Sequence, residues 1–315
     1  MGNRKILITG AAGFIGSHLA DSLLEDGFDV VGVDNYNNYY DPQLKLDRVE
    51  YFGHRVIRCD LKDFDQLDMV FNKEMPDIVM HLAARAGVRD SVGNEQLYHN
   101  DNIIATQNLI QVCKMYDVPK VVYASTSSVY GGTPIPETGW TEDEVTGHQL
   151  NPYAYTKYCN ECQFKISGLN NVGLRFFTVY GPWGRPDMAL YQFTDKISHG
   201  HPIEAFNYGK MKRDFTYIGD IIEGIKIALF SDIDSNEIYN IGRGKQVDLM
   251  HFIDCISKEL ETEADVFLAP RHPADTLETW SDTYKLRQLG YKPKVNIEVG
   301  VKAFVRWFKG YYGVK

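Results

Sequence analysis

The chain has 315 residues, of which 44% are hydrophobic and 24% are charged, an ordinary globular composition with ample material for a core. Its formal net charge is −9, which disfavours nucleic acid and anionic membrane surfaces as partners. The first residues run straight into a predicted strand. They show no signal-peptide pattern, and no apolar run approaches the roughly 20 residues that a membrane-spanning helix needs. We therefore expect a cytoplasmic protein.

Short β-branched runs alternate with amphipathic stretches over the first half of the chain. This alternation is typical of βαβ units and predicts an α/β fold with a Rossmann-type, doubly wound parallel sheet. A first helix is predicted from about Phe14 to Glu25, where apolar residues recur at helical spacing. The predicted strands are Lys5–Thr9, Val30–Asp34, Val56–Asp60, Ile78–Leu82, Lys120–Ser125 and Gly173–Val179.

The pattern becomes irregular in the second half, where glycine, proline and aromatic residues cluster. Short strands such as Glu237–Ile241 are predicted to alternate there with helices at Asp220–Leu229 and Leu249–Leu260. We expect residues 1–180 to form the Rossmann-type domain and residues 181–315 a smaller α/β lobe that binds substrate, without a clean linker. Such a lobe would lie over the carboxyl ends of the strands, where ligands of doubly wound sheets bind.

A glycine-rich turn, Thr9-Gly10-Ala-Ala-Gly13-Phe-Ile-Gly16, joins the first predicted strand to the first helix. Glycines there permit a tight turn and let the backbone approach a pyrophosphate, which then sits on the helix N-terminus. The next strand ends in Asp34, whose carboxylate would accept hydrogen bonds from an adenosine ribose and repel the 2′-phosphate of NADP. With no arginine at position 35 or 36, the pattern predicts NAD. A structural glycine turn followed by an unrelated acid is the alternative.

Two further strand ends predict contacts with the same dinucleotide. Cys59-Asp60-Leu61 ends the third strand, where an acid can reach adenine. His81-Leu82-Ala83-Ala84 ends the fourth strand with small residues that let the dinucleotide lie close.

The sequence Tyr153-Ala-Tyr-Thr-Lys157 places a phenol and an ammonium on one face of a helix, where both can reach one ribose–nicotinamide edge. The ordinary pKa of tyrosine is about 10, and a nearby ammonium together with a positive nicotinamide ring would lower it towards the range of a general base. Tyr155 is a competing phenol but would face elsewhere. The predicted cofactor-binding residues are Gly10, Gly13, Phe14, Ile15, Gly16, Asp34, Asn35, Asp60, Leu61, Leu82, Ala83, Ala84, Asn102, Ser125, Tyr153 and Lys157.

Hydroxyl side chains dominate the run that leaves the fifth predicted strand, ASTSSVYG at residues 124–131. They would lie at the carboxyl edge of the sheet, where a sugar hydroxyl could exchange a proton. In isolation such a run is equally well an ordinary turn. The glycine turn, the acid, this run and the tyrosine–lysine pair nevertheless occur in the order that a dehydrogenase needs.

With these motifs the chain resembles the extended short-chain dehydrogenases that act on nucleotide sugars, and within them the UDP-glucuronate 4-epimerases, over essentially its whole length. The matching segments are TGAAGFIGSHLA, VDNYNNYYDPQLK, HLAARAGVR, ASTSSVYGG, GLRFFTVYGPWGRPDMAL and NYGKMKRDFTYIGDI. The resemblance implies Thr126, Tyr153 and Lys157 as the catalytic trio. It also implies arginine contacts with the substrate diphosphate, a role that suits the guanidinium fork. These arginines are Arg185, Arg213 and Arg271.

The reaction that the resemblance implies is C4 epimerisation of UDP-glucuronate through a 4-keto intermediate, with NAD taking and returning the hydride. That intermediate is a β-keto acid, so an epimerase must keep the carboxylate out of the alignment that permits decarboxylation. We expect neutral hydroxyl donors to hold it. The predicted substrate-binding residues are Thr126, Ser127, Ser128, Tyr153, Thr178, Arg185, Arg213 and Arg271.

The residues at the same positions distinguish this function from several alternatives. Family dehydratases carry Asp-Glu after the catalytic threonine, where this chain has Ser127 and Ser128, and UDP-glucuronate decarboxylases usually carry glutamate in place of Ser128. A 4-epimerase of UDP-glucose or UDP-N-acetylglucosamine is the main alternative, although those relatives tend to carry asparagine in place of Thr178. A non-enzymatic protein that senses NAD is a further alternative, but such proteins generally lose the tyrosine or the lysine.

The family also assembles homodimers through a four-helix bundle. The resemblance therefore implies an interface formed by the helix near Asn102–Tyr116 and the helix that carries Tyr153. After Glu161 this chain is about one helical turn shorter than the family usually is. The shortening follows the catalytic pair and so leaves the chemistry unaffected, but it bears on the dimer contact.

The cysteine pattern predicts reduced thiols and no metal site. The count of five is odd and the spacing is uneven, which does not fit a disulfide framework. Cys159 and Cys162 stand one helical turn apart, but neither a second pair nor suitably spaced histidines accompany them as a zinc site would require.

Overall fold

The computed structural model describes residues 4–144, 146–233, 235–272 and 275–314. The strands of these parts of the chain are β1 (Lys5–Thr9), β2 (Asp29–Asp34), β3 (Val56–Arg58), β4 (Ile78–His81), β5 (Lys120–Thr126), β6 (Asn171–Phe176), β7 (Thr178–Tyr180), β8 (Ile203–Ala205), β9 (Lys212–Tyr217), β10 (Glu237–Ile241), β11 (Gln246–Asp248) and β12 (Val266–Leu268).

The helices of the described residues are α1 (Phe14–Glu25), α2 (Pro42–Phe52), α3 (Phe64–Glu74), α4 (Glu95–Tyr98), α5 (Ala105–Met115), α6 (Pro152–Lys165), α7 (Ala189–Ser198), α8 (Ile218–Phe230), α9 (Leu249–Leu260), α10 (Tyr284–Gln288) and α11 (Ile297–Tyr312). A π-helical segment, His99–Ile104, joins α4 to α5. None of these helices combines the length and the hydropathy that a bilayer-spanning segment requires.

Within the described residues, seven parallel strands form one large sheet in the order β3-β2-β1-β4-β5-β6-β10. Its central strands are apolar on both faces, as parallel strands covered by helices on both sides must be. Residues Ile6, Leu7 and Ile8 of β1, for example, are completely buried. Helices α1 and α8 cover one face of the sheet, and α3, α5 and α6 cover the other. The predicted doubly wound α/β architecture is confirmed.

The predicted strand Gly173–Val179 is wrong in one respect, because the structure divides it at Phe177. Residues Asn171–Phe176 form β6 of the large sheet, whereas Thr178–Tyr180 form β7, which pairs with β9 in a separate small sheet. The buried Phe177 lies between the two, and its backbone N–H donates to the carbonyl of Ile241. A continuous run of apolar residues carries no mark of a change of sheet. The division moves Thr178 off the edge of the large sheet.

Two elements that the sequence pattern assigns to the C-terminal lobe are instead associated with the large sheet, one as a strand of it and one as a helix on its face. Strand β10, Glu237–Ile241, pairs with β6 at the sheet's edge. Helix α8 begins at Ile218 and packs its buried isoleucines against α1 and the same face of the sheet. The strand was recognised, but a short β-branched run does not specify which strand it will pair with.

A third hydrophobic core lies in the part that we call the C-terminal lobe, which comprises α7, α9, α11 and the small sheet β11-β9-β7. Its centre is made of side chains such as Phe215, Phe252, Phe304 and Phe308, all buried. Helix α9 follows the predicted range, Leu249–Leu260. This lobe stands beyond the carboxyl ends of the large sheet's strands, where the cleft described next is found.

Candidate active site

A cleft of about 680 Å³ opens at the carboxyl ends of β1, β2, β4 and β5 and reaches α7 of the C-terminal lobe. The order of the large sheet reverses between β1 and β4, which is the crevice where doubly wound folds bind their ligands. Most of the residues predicted from the sequence meet here. Those that line the cleft are Gly10, Gly13, Phe14, Ile15, Gly16, Asp34, Asn35, Asp60, Leu61, Leu82, Ala83, Ala84, Ser125, Thr126, Ser127, Ser128, Tyr153, Lys157, Thr178 and Arg185.

The glycine turn holds the backbone of β1 and α1 against the end of β4. Gly10 has φ +72°, and a Cβ at this position would lie 2.8 Å from the backbone nitrogen of Ala83. A Cβ at Gly16 would lie 2.2 Å from the carbonyl oxygen of Gly10. Gly13, the N-cap of α1, provides no side-chain cap, so N–H groups of the first turn remain for a ligand. The turn therefore fits a pyrophosphate at a helix N-terminus.

Asp34 is buried at the end of β2, and the protein already uses part of its hydrogen-bonding capacity. Its Oδ2 accepts from the backbone N–H of Ala12 at 3.2 Å, and its Oδ1 accepts from that of Tyr36 at 2.8 Å. Nζ of Lys45, a buried residue of α2, lies 3.9 Å from Oδ1 and donates to both oxygens of Asn37. Sequence reasoning missed Lys45, because nothing in the pattern of α2 indicates that it faces the cleft.

Asn35 and Asp60 stand together at the ends of β2 and β3. Nδ2 of Asn35 donates to Oδ2 of Asp60 at 3.2 Å, and Oδ1 of Asp60 accepts from the backbone N–H of Lys62 at 3.0 Å. Both side chains line the cleft. Their mutual bond fixes the corner where the sequence predicts the adenine to lie.

Asn102 lies behind the cleft rather than in its lining. Its Oδ1 accepts from the backbone N–H of Arg85 at 2.7 Å, and its Nδ2 donates to the carbonyl of Arg85 and to Oγ1 of Thr156. The side chain is almost completely buried. Asn102 therefore ties the loop after β4 to α6, the helix that carries Tyr153 and Lys157, and both polar atoms of its side chain are used in doing so.

The hydroxyl run forms the end of β5 and the short 3₁₀ turn after it. Thr126 is the last residue of β5, and its Oγ1 accepts from the backbone N–H of Ser128 at 3.2 Å and donates to the hydroxyl of that serine at 3.3 Å. The threonine hydroxyl also interacts with the phenol of Tyr153. The run is therefore a turn whose residues line the cleft.

Tyr153 and Lys157 share one face of α6, as their spacing predicts. Asn151 caps this helix through a side-chain oxygen that accepts from the N–H of Ala154, and Pro152 stands in its first turn. Tyr155 is 47% exposed and points away from the cleft. The phenol of Tyr155 is therefore not placed to compete with that of Tyr153 in the cleft.

Burial governs the electrostatics of the catalytic pair. It raises the pKa of the Tyr153 phenol, an effect that the hydroxyl of Thr126 and the charge of Arg185 only partly oppose. Burial also lowers the pKa of the Lys157 ammonium to about 8, although the carboxylate of Glu161 acts in the other direction. The expectation that Lys157 lowers the pKa of Tyr153 is not met by the protein alone. A positive charge from a bound ligand would favour the phenolate.

A buried ion pair that the sequence analysis did not identify stands behind these residues. Nε and Nη2 of Arg175 donate to the two carboxylate oxygens of Glu161, each at 2.9 Å. The same carboxylate accepts from the hydroxyl of Ser125 at 2.5 Å. Ser125 therefore lines the cleft with its hydroxyl committed to Glu161. Both charged residues lie on regular elements, where a sequence pattern does not distinguish a buried charge from a surface one.

The three predicted arginines are not brought to the same place. Arg185 lines the cleft, and its guanidinium forms a two-pronged pair with Asp187. Arg213 is half-buried behind the lining and donates to the carbonyls of Thr276 and Leu277. Burial lowers its pKa to about 10.

Arg271 is exposed, and its Nη2 donates to the carbonyl of Asp275 at 3.0 Å. Of the described residues near it, Asp275 and Arg89 do line the cleft, and they form an ion pair of 2.6 Å. Arg89 belongs to the HLAARAGVR segment. Its position, as a cation in the loop after the fourth strand, could have indicated from the sequence that it lies at the cleft. The cleft thus contains arginines that are paired with carboxylates.

The chain is similar to known enzymes along most of its length. UDP-glucuronate 4-epimerase 1 of Arabidopsis thaliana is 40% identical over 99% of this chain and 78% of its own length. The crystal structure of UDP-glucuronic acid 4-epimerase from Bacillus cereus, in complex with UDP-glucuronic acid and NAD, covers 98% of this chain and 100% of its own, with TM-score 0.91 and 35% identity. The Thermus thermophilus UDP-glucose 4-epimerase complex with NAD covers 97% and 99%, with TM-score 0.88 and 30% identity.

These similarities fit the cleft, in which the glycine turn, Asp34 and the tyrosine–lysine pair stand in one crevice. The sequence model described as the NAD dependent epimerase/dehydratase family matches residues 6–242. This chain belongs to the NAD-dependent epimerase/dehydratase family.

Proposed function

We propose that this protein is an NAD-dependent isomerase that converts UDP-glucuronate into UDP-galacturonate by epimerisation at C4. The observation that carries the proposal is the set of neutral hydroxyls beside the catalytic tyrosine. Thr126 ends β5, Ser127 and Ser128 stand in the 3₁₀ turn that follows it, and Thr178 begins β7; all four residues line the cleft. The similarity to UDP-glucuronate 4-epimerases of plants and bacteria supports the same assignment.

The cleft fits NAD on three counts. The glycine turn has no room for side chains, the first turn of α1 leaves N–H groups without a side-chain cap, and Asp34 retains lone pairs for ribose hydroxyls. Bound NAD would supply the acceptor and donor of the C4 hydride. Lys157 and Tyr153 would then stand where the nicotinamide ribose and the sugar meet.

In this mechanism Tyr153 removes the proton from the C4 hydroxyl and later returns it to the same oxygen, after the configuration at C4 has been inverted. Thr126, which interacts with the phenol, is placed to hydrogen-bond the same sugar oxygen. Because burial raises the pKa of Tyr153 in the protein alone, the base becomes effective only when a ligand adds positive charge nearby. Proton removal is thereby coupled to occupation of the cofactor site.

The hydroxyls of Ser127, Ser128 and Thr178 suit a carboxylate at C5. A carboxylate offers two acceptor oxygens, whereas the CH₂OH group of a neutral sugar offers one and brings its own donor. Neutral donors on two different elements, the turn after β5 and the strand β7, would also fix the plane of the carboxylate. Held in that way, the C–CO₂ bond of the 4-keto intermediate stays out of alignment with the ketone.

The thiols fit the cytoplasmic location that we propose. All five cysteines, Cys59, Cys113, Cys159, Cys162 and Cys255, are free. Unpaired thiols are typical of reducing compartments.

The first prediction concerns the cofactor. The wild-type protein should bind NAD more tightly than NADP. Asp34→Ala should weaken NAD binding by about tenfold or more, because the hydrogen bonds between the carboxylate and the ribose hydroxyls are lost, and it should narrow the preference for NAD over NADP. Titration with each dinucleotide, followed by calorimetry, measures both affinities. Asp29→Ala, at the exposed start of the same strand, is the control and should change neither. Tighter binding of NADP by the wild-type protein would contradict the role of Asp34.

The second prediction concerns the catalytic base. Tyr153→Phe should lower turnover about 100- to 10,000-fold while the affinities for NAD and UDP-sugar change little, because only the proton acceptor is removed. Turnover is measured by NMR of UDP-glucuronate solutions. Tyr155→Phe, which alters the exposed phenol two residues away, should retain the wild-type rate. A near-normal rate in the Tyr153 variant would overturn the assignment.

The third prediction concerns the substrate. UDP-glucuronate should be converted to UDP-galacturonate with little reaction of UDP-glucose, since each unpaired donor costs about 1–3 kcal/mol. Thr178→Ala or Ser128→Ala should slow epimerisation and release part of the intermediate as CO₂ and a UDP-pentose, which NMR detects. Thr262→Ala, far from the cleft on the C-terminal lobe, serves as control. Efficient turnover of UDP-glucose with UDP-glucuronate inert would identify a neutral-sugar epimerase instead.

The fourth prediction concerns assembly. We propose a homodimer through α5, α6 and the π-helical segment that leads into α5, a region that carries the half-exposed Ile104 and Tyr155. The segment His99–Ile104 packs along α6, where the rings of His99 and Tyr155 lie 5.8 Å apart, so the segment and the helix adjoin each other. Light scattering at micromolar concentration should give the dimer mass, and Ile104→Glu should give the monomer mass. Met69→Glu, on the exposed side of α3, should remain dimeric, and a monomeric wild-type protein would refute the interface.

A further inference from the structure

Three side chains with metal-binding atoms meet on the C-terminal lobe, away from the cleft. They are His251 and Cys255 of α9 and Glu298 of α11. Nε2 of His251 lies 2.9 Å from Oε1 of Glu298 and 3.7 Å from Sγ of Cys255. All three donor atoms lie within 4.8 Å of one another. None of these residues has a part in the proposed epimerisation.

The fold explains why they meet. His251 and Cys255 are four residues apart, so they share one face of α9. Helix α11 packs against α9 through a shared apolar core that includes Phe252 and Val301. This packing brings the first turn of α11, with Glu298, beside the same face of α9. The arrangement is therefore fixed by the core of the lobe and not by a mobile loop.

The donor set matches the preferences of zinc. Zinc binds thiolate sulfur at about 2.3 Å and imidazole nitrogen or carboxylate oxygen at about 2.0–2.2 Å, so the donors around one tetrahedral ion stand roughly 3–4 Å apart. The two measured separations, 2.9 and 3.7 Å, fall at or close to this range. The sulfur is buried beneath the two other groups, whose side chains are about half exposed. One side of the site therefore faces solvent.

We propose that His251, Cys255 and Glu298 bind one Zn²⁺ ion, with a water molecule as the fourth ligand. On binding, the S–H bond of Cys255 breaks, its proton passes to solvent and a Zn–S bond forms. The proton that His251 donates from Nε2 to Glu298 is exchanged through solvent for one on Nδ1, so that Nε2 binds the ion through its lone pair, and Glu298 binds through one carboxylate oxygen. The hydrogen bond between His251 and Glu298 is replaced by the two metal bonds. No electron is transferred.

The ion would join α9 to α11 and thereby stabilise the C-terminal lobe. A ligand that binds only the folded state stabilises it by RT ln(1 + c/Kd), where c is the free concentration of the ligand, so the midpoint of thermal unfolding rises with the affinity and with that concentration. None of the three residues lines the cleft, so zinc should increase stability without being needed for turnover. A sequence pattern does not reveal it, because Glu298 stands on a different helix from the histidine and cysteine.

The test uses the full-length protein stripped of metal by chelation and dialysis. Zinc is titrated in competition with a chromophoric chelator, and thermal unfolding is recorded with and without the ion. Co²⁺ is then used as a spectroscopic substitute, because a thiolate ligand gives cobalt an intense near-ultraviolet charge-transfer band. The wild-type protein should bind one equivalent of zinc, unfold at a higher temperature with it, and show the thiolate band with cobalt.

Two variants remove ligands and two serve as matched controls. Cys255→Ser should abolish the cobalt band, and both Cys255→Ser and His251→Ala should weaken zinc binding by at least about tenfold and remove the thermal shift. Cys162→Ser removes an exposed thiol elsewhere, and His199→Ala removes a histidine paired with Asp195 at the same helical spacing but without a cysteine. Both controls should bind zinc as the wild type does. Metal-free circular dichroism of each variant verifies folding.

Opposite results overturn the proposal. It fails if the wild-type protein binds no zinc, or if the cobalt spectrum lacks the thiolate band. It fails equally if folded Cys255→Ser or His251→Ala keeps wild-type affinity, or if Cys162→Ser or His199→Ala loses it. Because metal-free protein should turn over UDP-glucuronate at the full rate, loss of the proposed epimerase activity would be seen in a separate measurement and would leave the metal result unaffected.

Discussion

The position of the catalytic helix depends on the buried ion pair between Glu161 and Arg175. Both side chains are more than nine-tenths buried, and the pair joins α6 to β6. The hydroxyl of Ser125 binds the same carboxylate, which draws the end of β5 into the network. Removing one partner of a buried pair typically costs about 3–5 kcal/mol, because it strands the other charge. Lys157 precedes Glu161 by one turn, so its ammonium is placed by the same contacts.

This arrangement also sets the electrostatic state of the site. A carboxylate one turn away from Lys157 raises its pKa, but Arg175 already satisfies most of that carboxylate, and burial prevails. Arg185 and Arg89, on the substrate side, are likewise paired with Asp187 and Asp275. The cleft is therefore less positive than its arginines suggest. A diphosphate would have to share or displace these carboxylates, which places selectivity in geometry more than in long-range attraction.

The features that could be predicted from the sequence are those that depend on neighbouring residues in the chain. The glycine turn, Asp34 and the pair formed by Tyr153 and Lys157 each depend on the residues next to them in one strand or helix, and the structure brings all of them to one cleft. Lys45 could not be found in this way, because a lysine in an amphipathic helix is most often on the surface. The same holds for Glu161, which became buried only through a partner on another element.

Long-range pairing was the other limit of sequence-based prediction. Strand β10 was recognised as a strand, yet its partner β6 is far away in the chain, and no local feature selects it. Asn102 illustrates the same limit for the site. It was predicted to bind the cofactor, but it lies behind the lining, and its three hydrogen bonds to Arg85 and Thr156 depend on how the loop after β4 meets α6. A residue that joins two other elements can be recognised only when the structure shows both of the elements that it contacts.

The break at Phe177 connects fold and specificity. It ends β6 in the large sheet and lets Thr178 begin β7, which belongs with β9 to the C-terminal lobe. The hydroxyls proposed to hold the sugar carboxylate therefore come from two layers, Ser127 and Ser128 from the turn that follows β5 of the large sheet and Thr178 from the lobe. A carboxylate bound between them would link the two layers across the cleft. An unbroken strand would keep position 178 in the large sheet and remove that second side.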